Sequence, residues 1–135
     1  MKTNQLIIEQ VSPFNVPVTV EKLIEAATQR EWQNPATHNL QQSLAKAGKN
    51  VRPVQVVEIC KPEYSGRLLE LDDERIASVL MPCRISVYEK ADGKTYIAML
   101  DMTQIADGIV STVVEAIHGA SEESMEIIQS VISSR

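Results

Sequence analysis

The residues equipped for chemistry fall between Val54 and Leu100. They are two cysteines, Cys60 and Cys83, a carboxylate, Glu58, inside an apolar run, and Arg84 directly after Cys83. A thiol attacks or ligates as the thiolate, so a reactive cysteine needs a nearby positive charge or a helix N-terminus. Cys83, behind Pro82 and beside Arg84, is the candidate nucleophile of a thiol-dependent sulfur-transfer or redox protein. Neighbouring strand residues point to opposite faces, however, so Arg84 need not approach the sulfur. The competing reading is a small buried hydrophobe in a row with Ile85 and Val87. Cys60 and Cys83 do not form a CxxC motif, and their approach depends on topology. Parallel strands would leave them about 20 Å apart, at about 3.3 Å per residue. Antiparallel strands would bring them near the roughly 5.5–6 Å between Cα atoms that a disulfide needs.

Glu58 either reaches water at a strand end or needs a partner such as Arg84 or Lys61. If buried, it could act as a base through desolvation. Arg84 could clamp an anion, or pair across strands with Asp101. Tyr88 and Tyr96 read as sheet packing. His38 precedes a helix and His118 lies in a helix's last turn, where a positive charge suits the dipole. With no HxH or CxxC spacing a zinc site is not expected. Haem ligation through a histidine or through Met81 or Met99 is an alternative that neither periodicity nor spacing favours. No cofactor is predicted. No complete catalytic constellation appears, which leans the reading away from an enzyme.

Composition narrows the classes. A chain of 135 residues with 44% apolar and 23% charged content reads as one globular domain, 1–135. A net charge of −5 argues against nonspecific nucleic-acid binding. No run reaches transmembrane length, and the first ten residues lack a signal-peptide pattern, so a cytoplasmic protein with free thiols is expected.

The elements that must position these residues follow from punctuation and period. Gln5–Val11 is a strand candidate. Thr19 is a plausible N-cap for a helix from Val20 to about Glu31, with Val20, Leu23, Ile24 and Ala27 inward. A helix over Asn39–Ala47, with Leu40, Leu44 and Ala47 inward, stops at Gly48. Val54–Cys60 is an interior strand, and Pro62 opens a helix over Glu63–Leu71. Asp72–Leu80 is ambiguous. Two C-terminal helices, Thr103–His118 and one capped by Ser121 beyond the stop Gly119, carry broad apolar bands. Those bands suit packing over a sheet or burial in a homodimer.

Asp92-Gly93 is a preferred two-residue type I′ hairpin loop. With it as the bend, Tyr88 faces Ile97 and Ser86 faces Met99. Cys83, Ile85, Val87, Ala98 and Leu100 then form the core face, with Arg84, Ser86, Tyr88 and Thr95 on the other. A slip of one residue would exchange faces.

The runs Glu58–Pro62 (EICKP) and Met81–Ile97 (MPCRISVYEKADGKTYI) resemble signatures of the family catalogued as domain of unknown function 302. The helix leading to Trp32 and the stretch Asn39–Gly48 fit it as well. Glu31 stands where the family often has Gly, and Lys61 where it often has Asn. The resemblance implies a two-layer α/β fold, commonly homodimeric, and an association with sulfur-handling domains such as rhodaneses. The expected architecture is an α/β (α+β) sandwich: a mixed sheet of about four or five strands with helices on one face, residues 1–102 as core and 103–135 as a helical pair. The expected role is a homodimeric ligand- or partner-binding accessory domain. It would take a small anionic or sulfur-containing ligand near Glu58, Cys60, Cys83 and Arg84.

Overall fold

The computed structural model describes residues 2–3, 6–102 and 111–134. A six-stranded sheet, ordered β1-β2-β6-β5-β4-β3, is built from β1 (Lys2–Thr3), β2 (Ile7–Ser12), β3 (Thr37–Asn39), β4 (Val54–Ile59), β5 (Cys83–Glu89) and β6 (Thr95–Leu100). The expected α/β sandwich is the observed class, but the sheet is antiparallel at every described pairing rather than mixed. The long link from Lys61 to Pro82 invites a parallel crossover reading. Instead it holds α3 (Pro62–Leu69) and a 3₁₀ helix (Asp73–Leu80), and returns the chain beside β4 in the opposite sense.

Helix α1 (Val16–Gln29) starts earlier than its expected cap. Asn15 is the N-cap, its Oδ1 accepting from the Val18 N–H at 2.9 Å, and Pro17 fits the first turn, where a missing N–H costs nothing. Thr19 is buried one turn in, its hydroxyl 2.7 Å from that of Ser12 on β2. The helix ends in a Schellman motif: the Trp32 N–H bonds the Ala27 carbonyl and the Glu31 N–H bonds that of Thr28. Glu31 itself takes φ 66°, the left-handed conformation that glycine adopts without strain.

Helix α2 (Leu40–Lys46) begins one residue later than expected, with Asn39 as its N-cap, and it buries nothing. It follows the edge strand β3, so Leu40 and Leu44, expected inward, stay exposed. At the C-terminus the described chain forms one helix, α4 (Ser111–Ile132), running unbroken through Gly119 and Ser121. The expected beginning of that region, with Ile105, Ala106, Ile109 and Val110, lies outside the described residues. Gly119 is not a stop. A Cβ there would stand 2.5 Å from Tyr64 Cε1, so this glycine lets α3 and α4 approach.

The hairpin corrects the expected register. Tyr88 faces Tyr96 and Ile85 faces Met99, one residue away from the two-residue scheme. Ala91-Asp92-Gly93 is a three-residue loop: the Gly93 N–H bonds the Lys90 carbonyl, and Gly93 takes φ 79°. This is a type I turn followed by a left-handed residue, a loop that the same dipeptide also serves. The faces of β5 are as expected, with Ile85 and Val87 fully buried, but those of β6 exchange. Thr95, Ile97 and Met99 face the core, while Ala98 is half-buried and Leu100 exposed.

Helices α1 and α4 cover the face carrying Val57, Ile59, Ile85, Val87, Ile97 and Met99, and these residues with Leu23, Ala27 and Ile127 form the main core. Among the described residues, the opposite face is the less buried of the two. It carries exposed Ile7, Val11 and Leu100, and half-buried Val54, Val56, Tyr88 and Tyr96. No helix among the described residues is long and apolar enough to cross a membrane.

Candidate functional site

The antiparallel register gathers the cysteines. Ile59 lies opposite Cys83, and Cys60 is the next residue after β4. Both are free thiols and both line a cavity of about 50 Å³ beneath α3, the 3₁₀ helix and α4. Its walls are largely apolar, with Leu68, Leu80, Met81, Met102 and Ile117 among them. Leu80, Met81, Pro82, Cys83 and Met102 also line a second space of about 250 Å³, which extends the cleft past Met99 and Leu100 toward Ser121 and Ser124.

Glu58 lines neither space, and Arg84 borders only the second. They are partners on the sheet's other face, where Glu58 Oε2 is 3.0 Å from His38 Nε2 and 4.0 Å from an Arg84 nitrogen. Arg84 therefore opposes Glu58 rather than the expected Asp101, and its side chain, 69% exposed, makes that pair weak. Arg84 does border the second space beside Cys83, so the four residues expected around one pocket divide between two faces of the sheet. Of the residues weighed as haem ligands, Met81 lines both spaces, Met99 is in the core and borders the second space, His38 bonds Glu58 and His118 is exposed.

The surroundings of Cys83 favour the thiol over the thiolate. Burial, and next the proximity of Cys60, push its thiol up to about 11, against a smaller opposing effect of a hydrogen bond with Ser124. A thiol so raised is almost wholly protonated at neutral pH. Cys60 lies 3.6 Å from the Ser65 hydroxyl.

A polar cluster closes the cleft on its other side. Glu123 of α4 accepts from Trp32 Nε1 at 3.1 Å, from Lys61 Nζ at 2.9 Å and from the Tyr64 hydroxyl. Burial pushes the Glu123 carboxyl up, but the bonds from Tyr64, Lys61 and Trp32 outweigh it, and the group is held below its ordinary range. The Tyr64 phenol is pushed up to about 12, first by its bond to Glu123 and then by burial. Lys61 is raised, chiefly by the same carboxylate. Trp32, Lys61 and Tyr64 all line the cavity that holds the thiols.

Sequence reasoning missed this cluster, whose carboxylate falls in the stretch read as a separate helix capped by Ser121. The available signal was spacing: Ala116, Ala120, Glu123 and Ile127 follow one helical stripe, and a charge on an otherwise apolar stripe needs partners. Among the described residues, no group of three or more His, Cys, Asp or Glu could hold a metal ion.

The profile of the family described as Domain of unknown function DUF302 matches residues 8–134. The chain belongs to the DUF302 family. No curated protein matches it. A solved structure, the crystal structure of an uncharacterized conserved protein DUF302 from Bacillus stearothermophilus, superposes with a TM-score of 0.82 at 18% identity, covering 93% of this chain and 97% of that one. At that identity the likeness shows the fold alone. Within this DUF302 domain, Glu31 holds a left-handed φ that glycine would adopt without strain. Lys61 supplies the cation of the Glu123 cluster.

Proposed function

We infer that this DUF302 protein is a non-enzymatic binding domain that holds a small, mainly apolar ligand with one anionic group in the cleft between α3, the 3₁₀ helix and α4. The carrying observation is the convergence of Trp32, Lys61 and Tyr64 on Glu123 at the rim of an apolar cavity. An apolar pocket with a few oriented polar groups and shifted pKa values is the usual form of a ligand site. Lys61 brings three donors, of which Glu123 takes one, so its ammonium can also meet a ligand's anion. The walls suit an adaptable fit, because Met81, Met99 and Met102 are unbranched and polarizable. The protonated state of Cys83 favours binding over thiol catalysis.

The domain acts as a cytoplasmic homodimeric accessory module, joined through the less buried sheet face. Exposed Ile7, Val11 and Leu100 on that face support this arrangement, since such a patch is costly to leave in water. Sedimentation should show a dimer that Leu100→Lys dissociates.

The test of the cleft uses octanol and octanoate as probes, followed by amide and indole resonances. Both should shift Trp32 and Cys83, and Lys61→Met should weaken octanoate alone. Ala120→Leu, which fills the cavity from α4, should abolish both. If neither probe shifts resonances of the cleft at millimolar concentration, the reading is wrong.

A further inference from the structure

The sulfur atoms of this chain are unevenly placed. Cys60 follows the end of β4, Met81 and Cys83 stand at the start of β5, and Met102 lies just past the end of β6. The register puts these three strand ends at the same edge of the sheet, with Ile59 opposite Cys83 and Ile85 opposite Met99. All four sulfur-bearing residues line the one cavity of about 50 Å³.

We propose that Cys60, Cys83, Met81 and Met102 form a binding site for a soft monovalent metal ion, copper(I). The donor set decides the class of ion. Two thiols and two thioethers offer only sulfur, and no histidine, aspartate or glutamate lines the cavity. Soft thiolate and thioether ligands select copper(I), whereas calcium, magnesium and manganese want oxygen, and zinc wants four thiolate, imidazole or carboxylate donors. Copper(I) is d¹⁰ and is bound without change of oxidation state. Each coordinating cysteine loses its proton to solvent, so binding one ion to two thiols releases two protons and leaves a single net negative charge in the site. The Lys61 ammonium, which lines the same cavity, is placed to balance that charge. A sulfur-only donor set favours the cuprous ion over copper(II), which prefers nitrogen and oxygen donors.

Copper binding here rests on the cleft being a binding site, and the experiment separates the two. Fully reduced protein is titrated anaerobically with copper(I) in the presence of bicinchoninate, a competing chromophoric ligand. The wild type should withhold one ion per chain from the dye and show a sulfur-only shell in X-ray absorption. Cys60→Ser/Cys83→Ser should withhold none, Met102→Leu should withhold less, and zinc(II) should not displace the ion. Heteronuclear spectra establish that each variant is folded, and octanoate is titrated into the same samples. Complete loss of copper to the dye by wild-type protein, or equal retention by the double serine variant, overturns the assignment. If octanoate still shifts cleft resonances in that case, the organic-ligand reading stands while the metal site falls.

Discussion

Replacing Gly119 with alanine tests how closely α3 and α4 approach. In an isolated helix alanine is favoured over glycine by about 0.8–1 kcal/mol, so a plain reading of the sequence expects stabilisation. The structure reverses the sign. A Cβ at position 119 would lie 2.5 Å from Tyr64 Cε1 and 3.1 Å from Cζ, well inside ordinary carbon contact of about 3.5–4 Å. The ring is not free to retreat, because its hydroxyl donates to Glu123 and its face packs near Trp32, with ring centroids 6.1 Å apart. Overpacking of this kind costs about 1–3 kcal/mol, and a lost hydrogen bond to a charged group about 1.5–3 kcal/mol. Partial relaxation realises only some of each, so after the helix gain the net loss is about 1–3 kcal/mol. Unfolding entropy near 2.1 cal/mol/K per residue converts this to a fall in Tm of roughly 4–11 °C. Calorimetry measures that fall. Tyrosine absorbance gives an independent readout, since a displaced Tyr64 should titrate nearer its ordinary value than the present value of about 12. In a Tyr64→Ala background the same substitution should stabilise, because the obstructing ring is gone. A rise in Tm for Gly119→Ala alone would refute the close approach.

Three further outcomes are expected. Glu31→Gly should stabilise the chain by about 0.5–1 kcal/mol, since the left-handed conformation costs an ordinary residue about 1–2 kcal/mol and glycine's looser unfolded chain returns only part of that; urea unfolding measures it. Cys83 should resist iodoacetamide near neutral pH in the folded protein. Its raised pKa contributes stability that is complete below about 9 and is lost as pH climbs through about 11, on the order of 2–3 kcal/mol, so Cys83→Ala should flatten that alkaline decline. Glu123 is held below its ordinary carboxyl value, so its contribution is present above about pH 4.5 and disappears as pH falls through the lowered value; Glu123→Gln should flatten the acid limb of a stability–pH curve and let Tyr64 ionise at lower pH.

The features legible in the sequence were those written locally. The strands around EICKP and MPCRISVYE, the helix start near Asn39, the stop at Gly48 and the first-turn Pro62 each depend on a few adjacent residues. What escaped depends on neighbours distant along the chain. Asp92-Gly93 serves two-residue and three-residue loops alike, and one added residue exchanged the faces of β6. Gly119 carries the local mark of a helix end, but its role is set by Tyr64, a residue of another helix. Thr19 has the chemistry of a cap and is used for a buried bond to Ser12 instead. The site divided in the same way. Cys60 and Cys83 were recognisable by type, whereas Glu123 gained its meaning from Trp32, Lys61 and Tyr64, which lie between 59 and 91 positions away.

The unbroken α4 has a mechanical corollary. Its 22 residues form a rod about 33 Å long. One stretch holds Ser124 and Glu123 against the cleft, and farther along Glu126 grips Arg30 of α1 at 2.7 Å and Gln129 reaches Gln10 of β2. Two separate helices would let a hinge absorb any push from below. A single stiff one carries the push onward, so a spectroscopic label at Gln129 would report what fills the space beside Cys83.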